Sequence, residues 1–170
     1  MSNIKKILYD IETAKCELDY EVGTLISPDG TVIKEYTGSA HGIYIPEEER
    51  HLFEGAIFTH NHPSGRCFTT KDVVSAANMQ VSEMRASTPQ GTFFSLRATS
   101  EEVNRSIGKV MLEEKVGDVV EAANTYKQKG FNLTGEAIDS KIFDLIGEDV
   151  DKWLLENAAE FGYTYTKGVL

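Results

Sequence analysis

Short apolar runs broken by turn residues dominate the first hundred positions of this chain. Such runs, bounded by Gly, Pro, Asn or Asp, are typical of buried β-strands. Pro46 with three following acids, and Thr69 with Asp72 three residues on, are typical helix starts. The pattern predicts a hairpin over 21–37, strands over 43–45, 55–62, 84–88 and 92–98, and helices over 46–54 and 70–83. We therefore expect an α/β (α+β) fold with a mixed central β-sheet flanked by helices. Residues 1–19 fit a helix and a strand equally well.

The chain after position 89 has a different character, because all four prolines lie at or before that position. Apolar residues such as Val103, Ile107 and Val110 recur there with helical spacing. The pattern predicts helices over 100–130, 138–146 and 150–161, and a terminal strand over 163–166. We therefore expect one domain over 1–100 and a helical C-terminal extension over 101–170 that packs on it.

The charge balance of the chain excludes some classes of function. Its 170 residues carry 27 acidic and 17 basic side chains, a net charge of −10, without a cluster of Lys and Arg. Because affinity for nucleic acid comes from clustered basic side chains, we expect no nucleic-acid partner. No apolar run approaches the roughly 20 residues of a membrane span, and Met1 is not followed by a signal-peptide pattern. Cys16 and Cys67 suit a reducing cytosol, so we expect a cytoplasmic protein.

The strongest chemical signal is a pair of histidines, His60 and His62, at the end of the predicted strand over 55–62. Side chains at i and i+2 of a strand leave the same face, close enough to bind one ion. A Pro-Ser-Gly turn and the helix start at Thr69 then carry Asp72 back towards the strand end. Two imidazoles and one carboxylate form a three-ligand zinc set whose fourth position is open to water.

The same residues permit a plainer interpretation. Two histidines at a strand end can simply cap a loop, and Asp72 can simply stabilise the N-terminus of its helix. Iron and manganese are open alternatives to zinc, since they accept the same types of ligand. Cys67 lies inside the loop and is a further candidate ligand, although the set of three is complete without it.

The stretch His60-Asn61-His62-Pro63-Ser64-Gly65, followed by Thr69-x-x-Asp72, resembles the motif of JAMM (MPN-type) zinc metalloproteases, in the branch with RadC-like and phage-encoded proteins. The family motif is His-x-His, seven residues, then Ser-x-x-Asp. This chain has six residues before Thr69, and threonine stands in place of the serine. The segment from Tyr20 to Gly30 resembles the family strand that carries a catalytic glutamate, with Glu21 in its place. The resemblance covers residues 15–100.

The resemblance implies a JAMM fold, which is related to the cytidine deaminase layout, with one zinc ion per chain bound by His60, His62 and Asp72. It implies that water activated by the zinc hydrolyses a peptide or isopeptide bond in a protein or peptide substrate, a ubiquitin-like conjugate among the candidates. It also implies a bacterial or phage-infected host cytoplasm. Glu21 would then be the general base, and Thr69 would donate a hydrogen bond to the oxyanion.

Alternatives stay open at each step. Glu17 and Asp19 replace Glu21 if the strand is shifted in register, and Ser64 or Thr70 replaces the threonine donor. A catalytically silent binding or assembly module, of phage or mobile-element origin, would keep the fold without the chemistry. Nucleic-acid hydrolysis conflicts with the net charge, and zinc-dependent deamination lacks its His-x-Glu and Pro-Cys-x-x-Cys signatures.

Overall fold

The structure, a computed structural model, describes residues 3–100, 105–111, 113–114 and 150–170. In chain order the elements are α1 (Asn3–Lys15), β1 (Val22–Ile26), β2 (Val32–Thr37), a 3₁₀ helix (Glu47–Phe53), β3 (Ile57–Asn61), α2 (Thr70–Met79), β4 (Glu83–Ser87), β5 (Thr92–Ala98), a 3₁₀ turn (Ala158–Phe161) and β6 (Tyr163–Val169). Across these residues the six strands form one sheet in the order β2-β1-β3-β4-β5-β6. The predicted α+β class, with a mixed central sheet flanked by helices, is confirmed.

Strand β3 lies inside the sheet, with both of its edges paired. It runs antiparallel to β1, where Leu25 is opposite Phe58, and parallel to β4, where His60 is opposite Ala86. Parallel neighbours need a crossover connection, and here that connection is α2. The other neighbouring strands pair antiparallel. The C-terminal end of β3 and the start of α2 are therefore joined by one short loop.

The two faces of the sheet carry separate apolar cores. Helix α1 packs on one face, where Leu8 forms a small apolar cluster with Ile26 and Ile57. Phe58 lies on the opposite face in the larger core, to which α2 contributes its buried side. Because side chains alternate along a strand, His60 shares the α2 face with Phe58, whereas Thr59 faces α1.

Helix α2 begins where the sequence predicts and ends earlier. Thr69 is its N-cap and forms a reciprocal capping box with Asp72. Gln80 adopts a left-handed conformation with φ of 55° and donates its backbone N–H to the carbonyl oxygen of Ala76. This conformation closes the helix, so the predicted continuation to residue 83 is wrong, and β4 begins at Glu83.

The predicted strand over 43–45 is also wrong, because these residues have no regular secondary structure. Ile43 and Ile45 pack against the larger core through their side chains without pairing their backbone. Their apolar character therefore serves packing rather than strand pairing. The helix predicted from Pro46 is a 3₁₀ helix, and Pro46 lies at its N-cap position rather than in its first turn.

The N-terminal residues, whose pattern is ambiguous, form α1. Its buried residues Leu8 and Glu12 are four positions apart, so they share one face of the helix. None of the described helices combines the length and the apolar character that spanning a bilayer requires.

The terminal strand is confirmed and is longer than predicted, since β6 spans Tyr163–Val169 and pairs antiparallel with β5. The sheet therefore uses residues on both sides of the boundary predicted at residue 100, and 163–169 do not belong to a helical extension. Residues 107–111 and 150–157 are helical, as the sequence predicts. The predicted helix over 138–146 lies outside the described residues, as does most of the one over 100–130.

Candidate metal centre

The two histidines of the motif leave the C-terminal end of β3 on its α2 face. His60 is within the strand, and His62 follows it directly, with its backbone N–H still donated to the carbonyl oxygen of Ser87 at 2.7 Å. Both side chains are buried, with 4% of each residue exposed. Their Nε2 atoms lie 2.8 Å apart, so the two rings aim their ligand atoms at the same point.

Asp72 completes the group from the first turn of α2. Its Oδ1 lies 3.5 Å from the Nε2 of His60, and its Oδ2 lies 3.4 Å from the Nε2 of His62. The three ligand atoms are all within 4.8 Å of one another. The capping box brings this about, because it fixes the carboxylate at the helix N-terminus beside the strand end.

The loop between strand and helix sets the tautomer of His62. Its Nδ1 lies 3.0 Å from the carbonyl oxygen of Arg66 and 3.1 Å from that of Cys67, so Nδ1 carries a proton and donates it. Gly65 makes the return of the loop possible, since its φ is +73° and its N–H bonds to the carbonyl oxygen of His62. When the ring is neutral, its Nε2 lone pair is therefore the one directed to the centre, as in metal-binding histidines.

The ring of His60 is held by apolar contacts instead. It stacks on Phe58 with ring centroids 5.6 Å apart, and it contacts Phe68 at 6.5 Å. Its Nδ1 is buried without a hydrogen-bond partner among the described residues. The Nε2 atom is therefore the one that serves the centre.

The donor set fits a cation. Two imidazole nitrogens 2.8 Å apart and a carboxylate repel one another unless a proton or a metal ion lies between them. Burial alone would raise the pKa of Asp72, but the adjacent His60 and His62 hold it well below its usual value. Burial alone would lower the pKa of His62, but its hydrogen bond with Asp72 and the charge of that carboxylate raise it to about 9. His60, His62 and Asp72 thus form a group that can hold a metal ion.

Glu21 approaches this group from the position directly before β1, which begins at Val22. In the antiparallel pairing of β1 with β3, Gly23 is opposite His60, and continuing the register puts Glu21 opposite His62. Directly opposite residues share a face, and Glu21 lines a cavity of about 70 Å³ together with His60, His62 and Asp72. Burial raises the pKa of the Glu21 carboxyl, and the neighbouring histidines partly offset that effect. Glu17 and Asp19 are not among the residues that line this cavity.

Thr69 lines the same cavity, but its hydroxyl is engaged by Asp72. The hydroxyl donates to Oδ2 of Asp72 at 2.9 Å and accepts the backbone N–H of Asp72 at 3.2 Å. The backbone N–H of Thr69 donates to the same Oδ2 at 2.7 Å. A hydroxyl has one proton, so in this geometry Thr69 orients the carboxylate, and its role as oxyanion donor stays a prediction. Of the two other candidates for that role, Ser64 is exposed, and Thr70 Oγ1 is buried without a partner among the described residues.

Asn61, between the two histidines, is a residue to which sequence reasoning assigned no role. It is 1% exposed, its Oδ1 accepts the backbone N–H of Val22 at 2.7 Å, and its Nδ2 donates to the carbonyl oxygen of Tyr20 at 2.8 Å. The amide thus holds both neighbours of Glu21. The signal in the sequence is a buried amide within a strand, which must find partners for its donor and acceptor.

Cys67 does not belong to the ligand group. Its thiol lies 3.0 Å from the hydroxyl of Tyr165, which in turn donates to Asp151 at 2.6 Å. Burial raises the pKa of the thiol to about 12, so it remains protonated. Its contribution to the centre is its backbone carbonyl, which orients His62.

No protein-family model, no curated protein and no solved structure matched this chain when it was compared with them. The resemblance to JAMM proteases therefore stays a prediction carried by the motif residues.

Proposed function

We propose that this chain is a zinc-dependent hydrolase that cleaves a peptide or isopeptide bond in a protein or peptide substrate. The observation that carries the proposal is the convergence of His60, His62 and Asp72, with Glu21 on the same cavity. Zinc suits a mixed set of imidazole and carboxylate ligands, and three protein ligands leave one position open for catalysis.

Zinc bound by these residues would act as a Lewis acid that lowers the pKa of water and polarises a carbonyl group. Glu21, on the same cavity, would then act as the general base, accepting a proton from the attacking water and delivering it to the leaving amine. Its pKa, raised by burial, makes both transfers easier near neutral pH. Thr69 orients Asp72, and Asn61 holds the segment that carries the base.

A catalytically silent binding module with the same fold is the second candidate. It is favoured by the Thr69 hydroxyl, whose one proton is used by Asp72, so that Thr69 has no proton left for an oxyanion in this geometry. A module of this kind would bind zinc and a partner without turnover.

The test combines metal analysis with hydrolysis of peptide libraries and ubiquitin-like conjugates. The purified protein should contain about one zinc per chain, and the double variant His60→Ala/His62→Ala should contain none. Glu21→Gln retains shape and hydrogen bonding but loses the base, so it should keep its zinc while hydrolysis falls roughly 10²-fold or more.

Glu17→Gln is the matched control, because Glu17 does not line the cavity, and it should keep full activity. Zinc retained by the double histidine variant would contradict the metal site. Bound zinc without turnover of any substrate would favour the silent module.

A further inference from the structure

A second cavity continues from the candidate metal centre across the surface. It has a volume of about 470 Å³ and lies between α2 and the irregular segment 39–45. Lys71, Ser75, Asn78 and Met79 line it from α2, at positions that share one face of a helix. We call this cavity the α2 groove.

The α2 groove and the metal cavity share part of their lining. Ile43, Ile45, Lys71 and Met79 are among the residues common to both, so the groove opens onto the centre. From Lys71 to Met79 the helix rises about 12 Å at 1.5 Å per residue. An extended peptide covers about 3.3 Å per residue, so the groove accommodates three to four residues next to the bond at the centre.

The α2 groove has the opposite charge to the chain as a whole. Arg50 and Lys71 line it, both exposed, and neither forms an ion pair with a described residue. His41, also exposed, lines it as well. Among the described residues that line the groove, none carries a carboxylate, in a chain with 27 acidic and 17 basic side chains.

The floor between these charges is apolar. Ile43, Ile45 and Met79 are partly buried and pack against the larger core, so each presents its remaining surface to the groove. Cations above an aliphatic floor suit a peptide that carries both carboxylates and an aliphatic side chain. Basic segments would meet both cations, whereas Glu21, whose charge interacts with that of Lys71, lines the metal cavity and not the groove. This arrangement discriminates against basic segments.

We infer that the α2 groove binds an extended acidic peptide segment, with Asp or Glu side chains near Arg50 and Lys71 and an aliphatic side chain on the floor. This inference rests on the proposed hydrolase function, because it names the substrate class of that site. A nucleic-acid strand is disfavoured as the occupant, since two cations do not offset the net charge of −10 against a phosphate backbone.

Binding can be measured without turnover in zinc-loaded Glu21→Gln protein. The probes are fluorescent peptides of equal length that share one aliphatic residue and differ in carrying Asp and Glu, Ser and Gln, or Lys. Fluorescence anisotropy should give the tightest binding for the acidic peptide, with an affinity that falls as salt increases. A single-stranded oligonucleotide serves as a polyanion control and should bind more weakly.

Charge reversal tests the two cations. Arg50→Glu combined with Lys71→Glu should weaken binding of the acidic peptide roughly tenfold and shift the preference towards the Lys peptide. Lys152→Glu makes half of that charge change at an exposed lysine outside the groove and should leave the preference intact. Equal affinity for the three peptides, preference for the Lys peptide, tighter binding of the oligonucleotide, or no effect of the double reversal would each overturn the inference.

The same peptides given to the wild-type zinc protein separate the two claims. Selective binding of the acidic peptide without its cleavage would reject the hydrolase function and leave the groove assignment in place. Cleavage without charge preference would reject the groove assignment and support the hydrolase.

Discussion

The metal-free protein should lose stability as the pH rises, because of His62. Burial lowers the pKa of its imidazole, but the hydrogen bond with Asp72 and the charge of that carboxylate outweigh burial and raise the pKa from 6.5 to about 9. A group with a higher pKa in the folded protein stabilises the fold fully below its unfolded pKa. That stabilisation is lost as the pH rises through the folded value, so the window runs from pH 6.5 to about 9.

The size of the effect follows from the two pKa values. At about 1.36 kcal/mol per pKa unit, the change from 6.5 to about 9 corresponds to ~3 kcal/mol in the free energy of unfolding. A domain of this size shifts its Tm by about 2–4 °C per kcal/mol. The metal-free protein should therefore lose about 6–12 °C in Tm across the window.

Thermal melts of chelator-treated protein, followed by circular dichroism from about pH 6 to about pH 9.5, measure this loss. His62→Gln should have a lower but flatter profile, because the titrating group is gone. His51→Gln is the matched control, since His51 is an exposed histidine on the 3₁₀ helix, and it should retain the wild-type slope. Added zinc should stabilise the protein more at high pH, because it competes with the proton for Nε2.

A wild-type profile that is flat between pH 6.5 and about 9 would refute the assignment of this raised pKa to His62. The same conclusion would follow if His62→Gln kept the full slope or if His51→Gln removed it. Thr69 gives a further check, since Thr69→Ala removes the hydroxyl that donates to Asp72 and should change the slope less than His62→Gln does.

Two further predictions concern residues outside the ligand group. Asn61→Ala leaves buried backbone groups beside Glu21 without their side-chain partners, so it should lower the free energy of unfolding in urea by about 1–3 kcal/mol. It should also lower hydrolysis while the zinc content stays unchanged. A loss of zinc in proportion to the loss of hydrolysis would contradict this positioning role. Glu12→Gln removes the buried charge that pairs with Arg85, so it should lower the free energy of unfolding in urea by on the order of 3 kcal/mol. A decrease of less than about 0.5 kcal/mol, which is typical of an exposed ion pair, would show that this pair adds little to stability.

The ligand set could be predicted from the sequence because short-range rules fix it. The period of two along a strand puts His60 and His62 on one face, and the capping-box spacing puts Asp72 at a helix N-terminus. All three lie within thirteen consecutive positions, so few ways of folding the segment separate them. Glu21 is different, because its place at the centre depends on β1 pairing with β3, and only the resemblance to JAMM proteases indicated it.

Features that depend on distant parts of the chain could not be predicted in this way. Glu12 on α1 binds Arg85 on β4 through two hydrogen bonds of 2.6 and 2.9 Å across 73 positions, and nothing near either residue indicates the other. The segment 43–45 has the apolar character of a strand, but β1 already has β2 and β3 as its neighbours, so no edge of that strand remains for it. The β-propensity of a segment depends on its own residues, whereas its pairing in a sheet depends on which strands still have a free edge.

The polar residues on the α1 face explain why the centre has one geometry. A shift of β3 by one position against β1 would move every side chain of β3 to the opposite face, and His60 would then face α1. The hydroxyl of Thr59 donates to Glu12 at 2.8 Å, and Glu12 is 1% exposed, so the shifted strand would leave a buried carboxylate without this donor. Loss of such a partner costs about 1–3 kcal/mol, more when the group is charged.

Asn61 opposes the same shift at the other end of β3. Its amide binds two backbone groups of the segment that carries Glu21, and these bonds form only when His60 is opposite Gly23. Continued by two positions, that register puts Glu21 opposite His62, on the cavity that it lines together with His60, His62 and Asp72. Glu12 and Asn61, which lie outside the candidate ligand group, therefore select one register of β3 against β1. In that register the four residues of the centre line a common cavity: Glu21, His60, His62 and Asp72.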